Sequence, residues 1–328
     1  MELVSIVVVN FNSEKWLQTC LDSIFKQTYP HLEVILVDNA STDGSLSFLK
    51  KNFSQLPLIG NKENVGFAKA VNQGIAQAKG EFILPLNPDV GLTPHYVEEM
   101  LKAANKNGKI GSVSGKLYRS DEMDSKVIDS AGHLMFKNRL SANRGNEEID
   151  KGQYNDQAYV FGTCGAAALY NREMLDDIKI NGEYFDETFF AFWEDIDLDW
   201  RANLRGWKCL YTPEAVAYHY RGGIRTPRPK LIEFNNYRNR YLALIKNDSF
   251  WGLLKSMPQI IFTDIFKSGA LLFRCPAALL AWLDVFGLLP EMLAKRRIIQ
   301  NRKTVSFKEM DKWFQKFDYL SWFKRHLI

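Results

Sequence analysis

Between Phe192 and Arg201 the chain reads Phe-Trp-Glu-Asp-Ile-Asp-Leu-Asp-Trp-Arg, which puts Glu194, Asp195, Asp197 and Asp199 within six residues. Acids this close repel one another, and a solvated helix face would interleave bases among them. The cluster makes sense if one acid is a general base and the others cap a helix or hold substrate hydroxyls. Glu194 and Asp195 fall at the expected helix start, where the helix dipole favours the charged form. The plain structural alternative is an N-terminally acidic helix.

Four further clusters suit a phosphorylated ligand. Leu86-Asn87-Pro88-Asp89-Val90 puts a carboxylate just past an apolar run. That position suits a hard divalent cation whose other ligands come from a diphosphate, or else a simple Asx-Pro turn. Ala217-Tyr218-His219-Tyr220-Arg221-Gly222-Gly223-Ile224-Arg225 joins a histidine to a cationic, glycine-bearing loop fit for a diphosphate. His219 could complete a metal shell with Asp89. In Val37-Asp38-Asn39-Ala40-Ser41-Thr42-Asp43-Gly44, an acid at a strand end can accept from a nucleobase N–H or a ribose hydroxyl. Turn and N-cap duty would explain the same residues. Asn64-Val65-Gly66-Phe67 at a helix entry lets backbone N–H groups approach ligand oxygens. There is neither a G-x-x-x-x-G-K-[ST] loop nor a G-x-G-x-x-G after the first strand, which argues against a P-loop enzyme and a dinucleotide oxidoreductase.

The elements that must carry these residues alternate. Apolar runs predict strands over Ser5–Val9, Glu33–Val37, Phe82–Leu86 and Cys209–Tyr220. Helical spacing predicts helices over Trp16–Gln27, Ser45–Asn52, Phe67–Lys79 and Leu231–Lys246. Such alternation means an α/β domain with a mostly parallel sheet, whose ligands bind beyond the carboxyl ends of the strands. Asn10-Phe11-Asn12, Asp38-Asn39 and Asn87-Pro88-Asp89 all lie at such ends. Ser120–Gln157 is polar and reads as loops or a β-excursion. Ala158–Tyr170 reads as a strand whose small residues, Gly162 to Ala166, admit a ligand closely.

The 328 residues are 46% hydrophobic and 24% charged, which excludes a disordered or collagen-like chain. The net charge of +4 is uneven: residues 250–328 carry 13 basic and 6 acidic side chains, against 29 and 32 in residues 1–249. The four cysteines form no C-x-x-C pair and read as reduced core thiols. The N-terminus lacks the basic region and cleavage site of a signal peptide. Residues 269–289 are interrupted by Arg274, Pro276 and Asp284, so no spanning helix is expected.

In this order and spacing, Ser5–Asn12, Val37–Gly44, Asn64–Phe67, Asn87–Asp89 and Glu194-Asp195 resemble the inverting glycosyltransferases of family 2, over about Val4 to Lys246. The Asn-Pro-Asp form, the Phe-x-Glu-Asp-x-Asp helix start and the late His-x-x-Gly loop look most like the rhamnosyltransferase branch. The resemblance implies an α/β GT-A nucleotide-diphosphosugar transferase fold over residues 1–248. Asp38 would hold the nucleobase and Asp43 would support the nucleotide loop. Asn10, Asn12, Asn39, Asn64, Gly66, Phe67 and Asn87 would complete the donor site, with Arg221 and Arg225 on the leaving diphosphate. Asp89 and His219 would ligate Mg²⁺ or Mn²⁺. Asn87 stands where many members have a first Asp, which removes one charge. Asp195 matches the catalytic base, with Glu194 beside it. Trp193 and Gly165 are the expected acceptor contacts. The implied donor is a nucleotide-diphosphosugar, dTDP-rhamnose first and a UDP-sugar as the alternative. The implied acceptor is a lipid-linked or cell-surface glycan precursor.

Residues 249–328 carry Leu, Phe and Trp at helical spacing, followed by Lys295, Arg296, Arg297, Arg302 and Lys303. Amphipathic, basic, aromatic helices read as an interfacial membrane contact, so the expected location is the cytoplasmic face of the cell membrane. The competing use is packing on the core or on a second subunit in a homo-oligomer. A nucleotidyltransferase would want a Gly-rich, basic loop after the first strand, and Asn10-Phe11-Asn12 is not one. A non-catalytic nucleotide-binding module would not need Asp89, Asp195 and His219 together. A nucleic-acid partner is disfavoured because the α/β part is net acidic and the basic residues lie among apolar ones.

Overall fold

The computed structural model describes residues 1–119, 125–221 and 230–320. The first strand, β1 (Val4–Asn10), is buried along its whole length. Its alternating side chains go to opposite faces, as a strand requires. Ile6 and Val8 pack with Leu17, Leu21 and Ile24 of α1 (Glu14–Phe25), whereas Val7 and Val9 pack with Ala68, Val71 and Ile75 of α3 (Phe67–Gln77). A strand covered on both faces reads as a continuous apolar run, which is why Ser-Ile-Val-Val-Val is legible.

Parallel pairing joins β1 to β2 (Leu32–Asp38) and to β4 (Phe82–Leu86), and β2 to β3 (Leu58–Gly60). Helix α2 (Ser45–Asn52) connects β2 to β3. Beyond β4 come β5 (Val90–Leu92), α4 (Tyr96–Ala104), β6 (Ile110–Arg119) and β7 (Ile128–Ser130). The polar middle folds as a β-excursion: β8 (His133–Phe136) and β9 (Ser141–Asn143) form a small second sheet with β13 (Phe314–Gln315). The main sheet has ten strands, in the order β10-β12-β6-β11-β4-β1-β2-β3, with β5 on β12 and β7 on β6. Here β10 is Ala158–Val160, β11 is Ala168–Asn171 and β12 is Lys208–His219. Strand β11 is antiparallel to both β4 and β6, while β6 and β12 are parallel.

One local expectation changes here. Residues 161–167 are the loop between β10 and β11 rather than strand. Helix α5 (Arg172–Ile178) follows β11, and α6 (Glu194–Leu204) precedes β12.

The chain then becomes helical: α7 (Lys230–Asn247), α8 (Phe250–Arg274), a 3₁₀ turn (Pro276–Leu280), α9 (Ala281–Arg302) and α10 (Phe307–Asp311). Packing is continuous across residue 248. Leu271, Ala278, Val285 and Met292 share one apolar cluster with Trp200 of α6 and Leu242 of α7. Residues 276–302 are long and apolar enough to cross a membrane by length and composition, which the sequence reading did not expect. All four cysteines are free and buried.

Candidate active site

The strand ends converge as the topology requires. At the end of β2 the buried Asp38 carboxylate accepts from Asn10 Nδ2 (2.7 Å) and from the Ser41 main-chain N–H (3.2 Å). Asn10 Nδ2 also donates to Ser41 Oγ (2.9 Å), and its own Oδ1 is buried without a partner. A polar atom left so is a candidate ligand contact. Asn12, at φ 51°, accepts through Oδ1 from the Thr42 N–H (2.7 Å) and so ties the β1 end to the β2 loop. Asp43 accepts from the main-chain N–H groups of Glu14 (3.0 Å) and Ser45 (3.0 Å) at the starts of α1 and α2. It therefore supports the loop.

Asn39 ties the next loop down. Its Nδ2 donates to Asn64 Oδ1 (2.9 Å), and its Oδ1 accepts from Asn61 Nδ2 (3.1 Å) and the Val65 N–H (3.1 Å). Gly66 sits at φ 87°, and a Cβ there would lie 2.6 Å from the Phe190 ring. Only glycine fits both the backbone conformation and the space. Phe67 opens α3 directly after it.

On the other side of β1, β12 runs antiparallel to β5 with His219 opposite Val90. This register puts His219 Nε2 3.4 Å from Asp89 Oδ1. On the ring's other nitrogen, Nδ1 lies 2.9 Å from Asp129 Oδ2, and Arg221 Nε donates to Asp129 Oδ1 (2.7 Å). A carboxylate behind a histidine fixes which nitrogen faces the ligand. Burial opposes the imidazolium, but Asp129 and Asp89 overcome it and raise His219 to about 10. Burial would raise Asp129, yet His219 and Arg221 hold it down at about 2. Asp129 was not anticipated, because it lies in the polar stretch without a motif. Arg225 lies outside the described residues. Among the described residues no three His, Cys, Asp or Glu side chains gather as a metal cage. Asp89 fits a cation that takes its remaining oxygens from a diphosphate, and His219 could join it only by giving up the Nε2 proton that now faces Asp89.

The acidic helix start resolves into four roles. Asp197 is structural: it accepts from Arg201 Nε (3.0 Å) and Asn247 Nδ2 (2.7 Å) and pairs with Lys246 (2.9 Å). Asp199 is buried, accepts from the Thr163 N–H (2.9 Å) and faces His133 Nδ1 at 3.4 Å. Burial raises it to about 7. Glu194 is buried with Oε2 unpartnered; burial, then Asp195, pushes it well above the carboxylate range. This corrects the expectation that the helix dipole keeps Glu194 charged, since desolvation outweighs a dipole contribution of roughly 1 kcal/mol. Asp195 alone remains accessible, with 18% of its side chain exposed.

Asp195 is well held. Its Oδ2 accepts from the Gly165 N–H (3.0 Å) and its Oδ1 from the Ile196 N–H (2.8 Å). Gly165 therefore orients the carboxylate through its main chain. The neighbouring Ala166 carbonyl accepts from the Asn87 N–H (2.9 Å). The loop at 161–167 thus joins the Asn87–Asp89 turn to Asp195.

Trp193 is only 7% exposed and packs in the apolar cluster with Ile196 and Trp200, so its ring offers the acceptor little surface. Its backbone is the informative part. Phe190, Phe192 and Trp193 all have positive φ (62°, 71° and 72°), a conformation that costs on the order of 1 kcal/mol or more each. Buried Asn239 of α7 holds this segment by donating through Nδ2 to the carbonyls of Phe189 (2.8 Å), Ala191 (3.0 Å) and Phe192 (2.7 Å). Upstream, Asp186 pairs with Lys246 of α7 and with Lys295 of α9 (2.6 Å). The C-terminal helices therefore brace the segment leading to Asp195. No sequence signal marked Asn239 or Lys246, and Lys295, expected among the basic residues at a membrane surface, is instead buried against Asp186.

Comparison with known proteins bears on the family and the fold. The glycosyl transferase family 2 model matches residues 5–179, more than half of the chain. The N-acetylglucosaminyl-diphospho-decaprenol L-rhamnosyltransferase of Mycobacterium tuberculosis is 24% identical over 273 residues, covering 76% of this chain and 86% of that protein. The putative glycosyltransferase EpsH of Bacillus subtilis is 36% identical over 228 residues, 66% of this chain and 60% of that one. Among solved structures, S. aureus TarS 1-349 in complex with UDP superposes with a TM-score of 0.57 at 18% identity, covering 97% of this chain and 94% of that one. The mannosyltransferase PcManGT from Pyrobaculum calidifontis, in complex with GDP-Man and Mn²⁺, gives 0.54 at 17% identity over 92% and 86%. These structures share the GT-A fold. The chain belongs to glycosyl transferase family 2 and is a glycosyltransferase.

Proposed function

We propose that this glycosyltransferase moves L-rhamnose from dTDP-rhamnose to a hydroxyl of a lipid-linked glycan precursor, with inversion and with help from Mg²⁺ or Mn²⁺. The observation that carries the reading is the accessible Asp195, held by Gly165 in the loop whose Ala166 bonds the Asn87–Asp89 turn. A base and a diphosphate site so linked suit a single in-line displacement. The rhamnosyl choice is supported by the mycobacterial relative, whose name also gives a decaprenol-linked substrate.

Asp38, Asn10 and the loop tied by Asn39 would bind the nucleoside. Arg221 would face the diphosphate, its orientation set by Asp129. A divalent cation held by Asp89 and His219 would neutralise charge on the leaving diphosphate. As the acceptor oxygen bonds the anomeric carbon, the sugar–phosphate bond breaks and Asp195 takes the hydroxyl proton. Glu194, kept neutral by burial, does not compete for that proton.

The test is transfer from a panel of nucleotide sugars to a polyprenyl-diphosphate-linked N-acetylhexosamine, followed by NMR. Turnover of dTDP-rhamnose above all other donors is expected. Turnover of UDP-sugars alone would replace the donor assignment.

The acceptor's lipid calls for a membrane-facing surface, and residues 250–302 offer one. Phe250, Trp251, Leu254, Ile261, Ile265 and Leu272 are exposed along α8, and Leu283, Phe286 and Leu293 along α9. Exposed Arg274, Arg297 and Lys303 accompany them. Apolar faces with cations beside them suit the headgroup region of an anionic leaflet. On this reading the protein is peripheral at the inner face of the cell membrane. The full chain should sediment with anionic vesicles at low salt; a chain that stays in solution and self-associates through α8 instead would assign the face to a second subunit.

A further inference from the structure

The buried histidine beside Asp195 has no part in the proposed transfer. His133, at the start of β8, enters from the small sheet and is almost fully buried. Its Nε2 lies 3.7 Å from Asp195 Oδ2 and its Nδ1 lies 3.4 Å from Asp199 Oδ2. The first distance is that of an ion pair; the second is a long hydrogen bond.

The surroundings are built to keep this arrangement. The His133 N–H donates to the Gly162 carbonyl (2.7 Å), and the next residue, Thr163, donates its N–H to Asp199 Oδ2. A Cβ at Gly162 would lie 1.8 Å from Asp199 Oδ2, so the loop reaches the carboxylate only because it lacks a side chain there. The same loop supplies the Gly165 N–H to Asp195. Strand β8, the loop and α6 thus meet around one imidazole.

Charge explains why an imidazole is needed. Glu194, Asp195 and Asp199 all come from α6. Among the described residues no Lys or Arg lies within ion-pair distance of Asp195 or Asp199. Cys164 contacts His133, and Tyr170 and Cys209 lie near Asp199; burial keeps Tyr170 and Cys209 protonated. Burial opposes a charged His133, but Asp195 and Asp199 overcome it and hold the ring protonated. A lone positive charge among clustered acids decides how many of them ionise.

We propose that His133, anchored by Asp199, is a positioning residue that orients the Asp195 carboxylate for the acceptor hydroxyl and sets a positive charge against it. This rests on Asp195 being the base. In the transfer step the acceptor proton passes to Asp195, which returns it to solvent; His133 gains and loses no proton.

The experiment is the pH profile of kcat/KM for the wild type, His133→Gln, His133→Lys and Asp195→Asn. Removing the cation makes the neighbouring acids hold their protons more tightly. The acid limb for His133→Gln should move up by about one pH unit or more, with activity recovering at high pH and donor KM unchanged. His133→Lys should move the limb back toward the wild type. A uniform loss at every pH, with the limb unmoved, overturns the proposal. Substantial activity in Asp195→Asn would remove the base assignment instead, so the two failures are distinct. NMR titration of the His133 ring in the wild type is the independent check. A protonated ring at pH 7 is expected, and a neutral ring at that pH overturns the proposal even if the variants fail to fold.

Discussion

Asp195→Asn should lower kcat by roughly 10³–10⁴-fold, the upper range for loss of general-base catalysis, while nucleotide-sugar binding stays nearly intact. In free-energy terms that is about 4–5 kcal/mol of transition-state stabilisation. An asparagine oxygen can still accept from the Gly165 N–H and so hold the loop, at the cost of the acceptor for the Ile196 N–H. The expected phenotype is therefore a well-folded protein that binds donor and does not transfer. Glu194 cannot substitute, because burial keeps it protonated. Single-turnover rates with saturating donor check the prediction. Near-normal turnover would remove Asp195 from the chemistry.

Asp89→Ala should have the second-largest effect. It deletes the carboxylate facing His219 Nε2 and leaves the histidine as a lone donor. Loss of a metal-held leaving group costs several kcal/mol of charge stabilisation, so transfer should fall by about 10²-fold or more. The variant should also lose the stabilisation that donor and Mn²⁺ give together, since only ligands bound to the native state raise its melting temperature. Thermal shifts with dTDP-rhamnose, with and without Mn²⁺, separate the two contributions. An Asp89→Ala protein that keeps both its activity and its metal-dependent shift would place the cation elsewhere or dispense with it.

The sequence made the α/β half legible because its strands are buried on both faces. Val4–Asn10 and Phe82–Leu86 carry apolar runs, and their polar punctuation falls at the carboxyl ends, where open α/β sheets take their ligands. The residues at those ends could be named for the same reason. What could not be read was everything brought in from a distance. Asp129 behind His219 and His133 beside Asp195 come from the β-excursion, where short strands alternate with turns and carry no periodic pattern. The exchange of roles within Glu194–Asp199 was hidden too. Four acids look alike in sequence, and only burial and partners set one neutral, one paired to Lys246 and Arg201, one paired to His133 and one open. The C-terminal helices read as a separate basic segment, yet Lys295 of α9 reaches Asp186 ahead of the segment that leads to Asp195. Asn239 likewise braces three backbone carbonyls, a task no spacing rule announces.

In the one-step displacement proposed for this chain, Asp195 faces the acceptor while the diphosphate departs on the opposite side. The measurement that tests it most directly is the anomeric configuration of the sugar in the transfer product, read by NMR against the configuration in the nucleotide-sugar donor. Inversion is the only stereochemical outcome expected. A product that retains the donor's configuration would require a covalent or front-face mechanism and would contradict it.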